Sequence, residues 1–161
     1  MEDEAVVARQ LGRPPRAFRR VAVRCPYGRP AVTEQWPRDA AGAPFPTTYY
    51  LTCPRAASLI GTLEGSGLMR EMESRLGEDP LLAAGYEAAH RAYLADRTAL
   101  AELKGLSVPE IEGTSAGGMP KRVKCLHVLA AHALAAGPGV NPLGDEVLAE
   151  LGEWWEAGPC V

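Results

Sequence analysis

Phe18-Arg-Arg-Val-Ala-Val-Arg-Cys-Pro-Tyr-Gly-Arg-Pro-Ala-Val-Thr-Glu-Gln-Trp36 sets the architecture. Residues 18–24 are rich in β-branched and apolar side chains and read as a strand ending at Cys25. Pro26-Tyr27-Gly28-Arg29-Pro30 is turn punctuation, and Ala31 to Trp36 pairs back as a second strand, with Cys25 at the mouth of the hairpin. Beyond a Pro- and Gly-rich link over 37–46, Thr47 to Thr52 carries the β-branched and aromatic content of a third strand and stops at Cys53. On the N-terminal side, Glu2 to Leu11 has helical composition. Gly12 ends it, and Pro14-Pro15 prevents its continuation.

After Pro54 the apolar spacing changes from two to three and four. Arg55 to Glu64, Leu68 to Leu76 and Asp79 to Lys104 read as helices, the last opened by Asp79-Pro80. Gly105 to Gly118 reads as a loop. Lys121 to Ala136 is a further predicted helix, closed by Gly137-Pro138-Gly139, and Gly144 to Ala157 a last one carrying Trp154 and Trp155. The expectation is an α+β fold: a short N-terminal antiparallel sheet of about three strands packed against four to five helices, in a single domain over 1–161.

The chain has 161 residues, 47% of them apolar and 23% charged, enough for one core and not the composition of a disordered chain. The start is acidic, with no cationic segment leading into an apolar one, and no apolar run approaches the ~20 residues that span a bilayer. The expected compartment is the cytoplasm, where cysteines stay reduced or ligate metals. From Arg9 to Thr33 there are seven arginines and no acid. After Lys124 there is no Lys or Arg, and five acids fall between Asp145 and Glu156. Either the two ends neutralise each other or the N-terminal segment offers an anion-binding face to a small anionic ligand or a protein partner. A pI near 5.7 and the lack of aromatic-interleaved basic motifs argue against nucleic acid.

Three of the four cysteines lie in marked settings: Arg-Cys25-Pro-Tyr-Gly, Leu-Thr-Cys53-Pro and Lys-Cys125-Leu-His127, with His132 further on. Thiolates are the soft ligands of zinc and iron–sulfur clusters, and both Cys-Pro steps fall at predicted strand ends. The expected centre is therefore Cys25, Cys53 and Cys125 around zinc or a cluster, with His132 or His127 as fourth donor or with that position open. Cys160, next to the last residue, is expected to stand aside. On a helix running from Lys121, Cys125 and His132 share a face but lie ~10.5 Å apart along the axis, while His127 points away from Cys125 unless the first turn is irregular. Arg24, Gly117, Gly118, Lys121 and Arg122 form a candidate anion site, in which a Gly-Gly turn feeding a helix start presents amides beside cations. His90 reads as a packing or capping histidine. No Ser/His/Asp or paired-carboxylate arrangement can be assembled around it, and whether the chain is an enzyme stays open.

Arg24-Cys-Pro-Tyr-Gly28, Pro44-Phe-Pro-Thr-Thr-Tyr-Tyr-Leu-Thr-Cys-Pro54, Gly117-Gly-Met-Pro120, Val123-Lys-Cys-Leu-His-Val-Leu-Ala-Ala-His132 and Gly139-Val-Asn-Pro-Leu-Gly-Asp145 occur in one order. Together they resemble the bacterial domain-of-unknown-function family 501 over about residues 5–150. The resemblance implies a small cytosolic protein of actinobacterial type, in keeping with the Arg-over-Lys bias, and supplies no catalytic residues. Two readings remain. One is a metal-centre protein with a basic anion-binding pocket beside it. The other is a non-catalytic interaction or anion-binding domain with packed free thiols.

Overall fold

Strand β2 (Pro30–Gln35) is the middle of the sheet, between β1 (Phe18–Arg24) and β3 (Tyr49–Leu51), and both pairings are antiparallel. The computed structural model describes residues 2–161. Val21 faces Thr33 across one ladder and Thr33 faces Tyr50 across the other. Pro30 is tolerated because it opens its strand, where a ladder N–H is dispensable. Every residue of β2 is buried, including Glu34, whose carboxylate takes the guanidinium groups of Arg19 at 2.5 Å and Arg20 at 2.7 Å. Four of the seven arginines of the acid-free segment are thus paired with nearby acids, Arg16 on Asp39 and Arg24 on Asp3 besides the two on Glu34, and none of these four pairs with the C-terminal acids.

Six helices accompany this sheet: α1 (Glu2–Leu11), α2 (Pro54–Glu64), α3 (Leu68–Glu78), α4 (Pro80–Lys104), α5 (Leu126–Ala136) and α6 (Pro142–Leu151). The architecture is α+β. Helix α5 is apolar on nearly every side and lies against β3, α2 and α6, as such a helix must to leave water. The third strand is shorter than Thr47 to Thr52, and the largest departures from the sequence reading are at two helix boundaries. The chain from Lys121 to Lys124 turns instead of entering a helix, because Arg122 N–H and Lys124 N–H bond to the carbonyls of Gly118 and Gly117, both at 2.8 Å. Helix α6 stops at Leu151, where Gly152 takes a φ of 58°, so Trp154 and Trp155 lie in the turn beyond it.

Arg97 of α4 is 4% exposed and donates to the carbonyls of Pro46, Ile111, Thr114 and Ser115, tying the loop after α4 to the segment entering β3. Removing this side chain takes the Arg97 donor from all four, and of these only the Ile111 carbonyl keeps another backbone donor shown, the Thr114 N–H at 3.1 Å. Arg97→Met is expected to cost about 3 kcal/mol in urea unfolding, with the added opening confined to residues 106–118 in hydrogen exchange.

Candidate metal centre

Helix α5 begins without a side-chain cap of its own. Cys125 occupies the N-cap position in an extended conformation and makes no capping hydrogen bond. The cap comes from α2: the Glu64 carboxylate accepts the Leu126 N–H at 2.8 Å, where the positive end of the α5 dipole favours an anion. The same carboxylate oxygen lies 3.2 Å from His127 Nδ1, and His127 Nε2 donates to the Ala57 carbonyl at 3.0 Å. That carbonyl can only accept, so it fixes the proton on Nε2 and turns Nδ1 toward Glu64.

The extended backbone at Cys125 reverses the relation expected from a continuous helix. Cys125 and His127 converge, and the Cys125 sulfur, one Glu64 oxygen and one His127 nitrogen all lie within 4.8 Å of one another. The Cys125 sulfur, first, and then Glu64 and the Ala57 carbonyl push the His127 pKa up to about 9, against the opposing pull of burial. Cys125 and His127 also line a cleft of about 530 Å³, whereas Glu64 reaches the group from a depression on another side. Tyr49, Tyr50, Leu51, Ala57 and Val128 supply much of the cleft wall.

The other predicted ligands lie elsewhere. Among the described residues, Glu64, Cys125 and His127 are the one group of three donors at this spacing, and neither Cys25, Cys53 nor His132 belongs to it. All four cysteines are free thiols. Cys25 is buried in the β1–β2 turn, and Cys53 is the buried N-cap of α2, its thiol pushed up by desolvation. Cys160 takes the Gln10 side-chain N–H at 3.3 Å and, like Cys25, lies close enough to Cys53 to add to that thiol's shift. His132 is fully buried, stacked on Tyr49, edge-on to Tyr93 and 3.1 Å from the Asn141 amide, and burial pushes its pKa down. It is a core histidine in this fold. His90 Nδ1 lies in hydrogen-bond contact with the buried Ser115 hydroxyl at 2.7 Å.

The five anion-site candidates do not border the cleft. Arg24 is held by Asp3 and Arg122 by Glu73, each at 2.7 Å, while Lys121 lies in a separate depression with Glu73 and Glu87. Gly117 and Gly118 have φ of 67° and 95° and form a turn closed by the residues after them, so they do not feed a helix start. Gly118 approaches Arg122 so closely that a Cβ there would lie 2.7 Å from its carbonyl oxygen.

Residues 21–149 match the family described as protein of unknown function (DUF501). The chain belongs to this family. No curated protein and no solved structure matches it. The matched DUF501 segment contains Glu64, Cys125 and His127, and leaves α1 and the last twelve residues outside. Among the described residues, no helix is long and apolar enough to cross a membrane. Sequence reasoning passed over Glu64. An acid at the C-terminal end of α2 opposes that helix's own dipole, which marks it as serving a partner outside the helix.

Proposed function

We propose that this DUF501 chain is a single-metal protein in which Cys125, His127 and Glu64 bind a zinc-type divalent ion, with a further coordination position open to the cleft. The observation that carries this is the convergence of a thiol, an imidazole and a carboxylate within 4.8 Å. One soft and two harder donors suit a single borderline ion, whereas an iron–sulfur cluster draws mostly on thiolates. The Ala57 carbonyl supplies the outer hydrogen bond that metal-binding histidines use, leaving Nδ1 as the donor atom. Three protein ligands plus an open position is the arrangement in which zinc polarises a carbonyl or activates water. The compartment assigned to this reading is the cytoplasm, where the four thiols stay reduced.

Metal analysis of the full chain purified without chelator tests the reading. One equivalent of zinc, lost in His127→Ala, is expected; substoichiometric metal that the variant leaves unchanged overturns it. The pH dependence gives a second check. His127 must surrender its proton to bind, so zinc affinity is expected to rise about tenfold per pH unit between pH 6 and 8 for this proton alone, with release measurable by calorimetry in two buffers. In the metal-free chain the sign is opposite. A pKa raised to about 9 contributes stability that is complete below pH 6.5 and lost as pH climbs through 9, on the order of 1 kcal/mol after solvent screening of a side chain 32% exposed.

A second reading rests on the same raised His127. The Cys125 thiol beside the His127 imidazole, both on the cleft wall, is the pairing a cysteine nucleophile uses. Fast alkylation of Cys125 by iodoacetamide at neutral pH in a chain that takes no zinc favours this reading over the metal.

A further inference from the structure

Beyond Gly152 the chain forms no further helix or strand, yet its end is docked beside a second thiol. The Pro159 carbonyl takes the Arg55 guanidinium at 3.1 Å, and the Cys160 sulfur takes the Gln10 side-chain N–H at 3.3 Å. The same Gln10 nitrogen donates to the Pro30 carbonyl at 2.7 Å, which places Cys160 against the start of β2. Cys160 also shares a surface hollow with Pro54 and Arg55, the two residues that follow Cys53. Cys53 is held to the same stretch of β2, its N–H reaching the Ala31 carbonyl at 3.4 Å.

The two thiols differ in what reaches them. Cys53 is 3% exposed, and desolvation, with Cys160 and Cys25 adding to it, pushes its pKa up. Cys160 is half-buried. An oxidant in solution therefore meets Cys160 first, and Cys53 is the thiol placed to resolve it. Cys25 is the less suitable partner, because its N–H and its carbonyl close the β1–β2 turn on Arg29 and Gly28, at 2.9 and 2.8 Å, and leave its backbone no slack. The tail has slack: after the Gly158 N–H bond to the Trp155 carbonyl it makes no further backbone hydrogen bond among the described residues.

From this juxtaposition we infer that Cys53 and Cys160 are a redox pair, closed by hydrogen peroxide into a disulfide that ties the chain end to the start of α2. Peroxide oxidises the Cys160 thiol to a sulfenic acid and leaves one water. The Cys53 sulfur, giving up its proton, then attacks the Cys160 sulfur; the S–S bond forms and the sulfenic oxygen departs as a second water. The two thiols lose two electrons in all, and peroxide takes them. Gln10 and Pro54 also line the cleft, so the bond forms behind one of its walls and the cleft registers it. The inference is independent of the metal-centre reading, since Glu64, Cys125 and His127 take no part in it.

The test treats the dilute, reduced full chain with a slight excess of hydrogen peroxide, blocks the remaining thiols by alkylation, and digests with trypsin and a glutamate-specific protease, which leave the four cysteines on separate peptides. A Cys53–Cys160 cross-linked peptide from monomeric protein is expected, reversed by dithiothreitol and retained in Cys125→Ser. In Cys160→Ser, which alters only the unstructured end of the chain, Cys53 is expected to stay reduced. Oxidation of the parent should shift the Gln10 side-chain amide and Leu11 backbone amide signals. A Cys25–Cys53 bridge, a Cys160–Cys160 dimer, or Cys160 driven to sulfinic acid with Cys53 still free overturns the pair. A fully cross-linked chain with unmoved Gln10 and Leu11 signals overturns its link to the cleft.

Discussion

Cys125→Ser is expected to lower zinc affinity by about 10³-fold, with the melting temperature of the metal-free chain within about 2 °C of the parent. Loss of an outer hydrogen bond to a ligand alone costs 10–100-fold, and here the one sulfur donor of the group is removed. The fold is expected to tolerate the change, because Cys125 makes no capping bond and Glu64, not Cys125, satisfies the first amide of α5. Serine is moreover among the preferred residues for an N-cap. Competition against a chromophoric chelator gives the affinity, and a thermal melt of the metal-free variant gives the stability. Retention of parental affinity would remove Cys125 from the ligand set. A collapse of the metal-free fold would show that Cys125 is structural.

Gly144→Ala is expected to be the most damaging single methyl group in the chain, lowering the melting temperature by about 10 °C or preventing folding. A Cβ at this position would lie 2.2 Å from the Leu129 carbonyl oxygen and 2.8 Å from the Ala133 Cβ. The first of these is backbone and cannot rotate away. Helix α6 starts here, with the Asn141 side chain accepting the Gly144 N–H at 2.9 Å, so neither its register nor its cap can slide to make room. Helix α5 must move instead, and with it the segment that carries Cys125 and His127. Where the variant folds, its zinc affinity should fall along with its stability, although the nearest neighbours of residue 144 are Leu129 and Ala133 and none of the three proposed donors. Differential scanning calorimetry with zinc titration on the same sample checks both.

The elements that could be read from residues alone are those with strong punctuation on both sides. Helix α1 ends where Gly12 and the two prolines forbid more helix, β1 ends at Cys25-Pro26, and α4 runs from Asp79-Pro80 to Gly105. The start of α5 failed that test. Pro120 resembles a first helical residue, and the apolar spacing continues through Val123, yet the Gly117-Gly118 turn folds this stretch back on itself and passes the N-cap to cysteine, a residue outside the usual capping set. Five residues of misplaced helix were enough to swing His127 to the wrong face. The pairing with Glu64 was illegible for another reason. It joins the end of one helix to the beginning of another across 61 to 63 positions of chain, and neither spacing nor composition encodes which helix ends meet in space.

Gln10 gives this arrangement a division of labour. It sits on α1, outside the matched segment, where it holds the Pro30 carbonyl and the sulfur of Cys160 at the opposite end of the chain, and together with Leu11 it forms one bank of the cleft. The other bank, with Cys125 and His127, comes from the matched interior. The two banks are therefore separable in sequence: one lies inside the matched segment, and the other is built by terminal segments that meet at Gln10. Substitutions at residues 10 and 11 are therefore expected to reshape the cleft while leaving the Cys125–His127–Glu64 group in place.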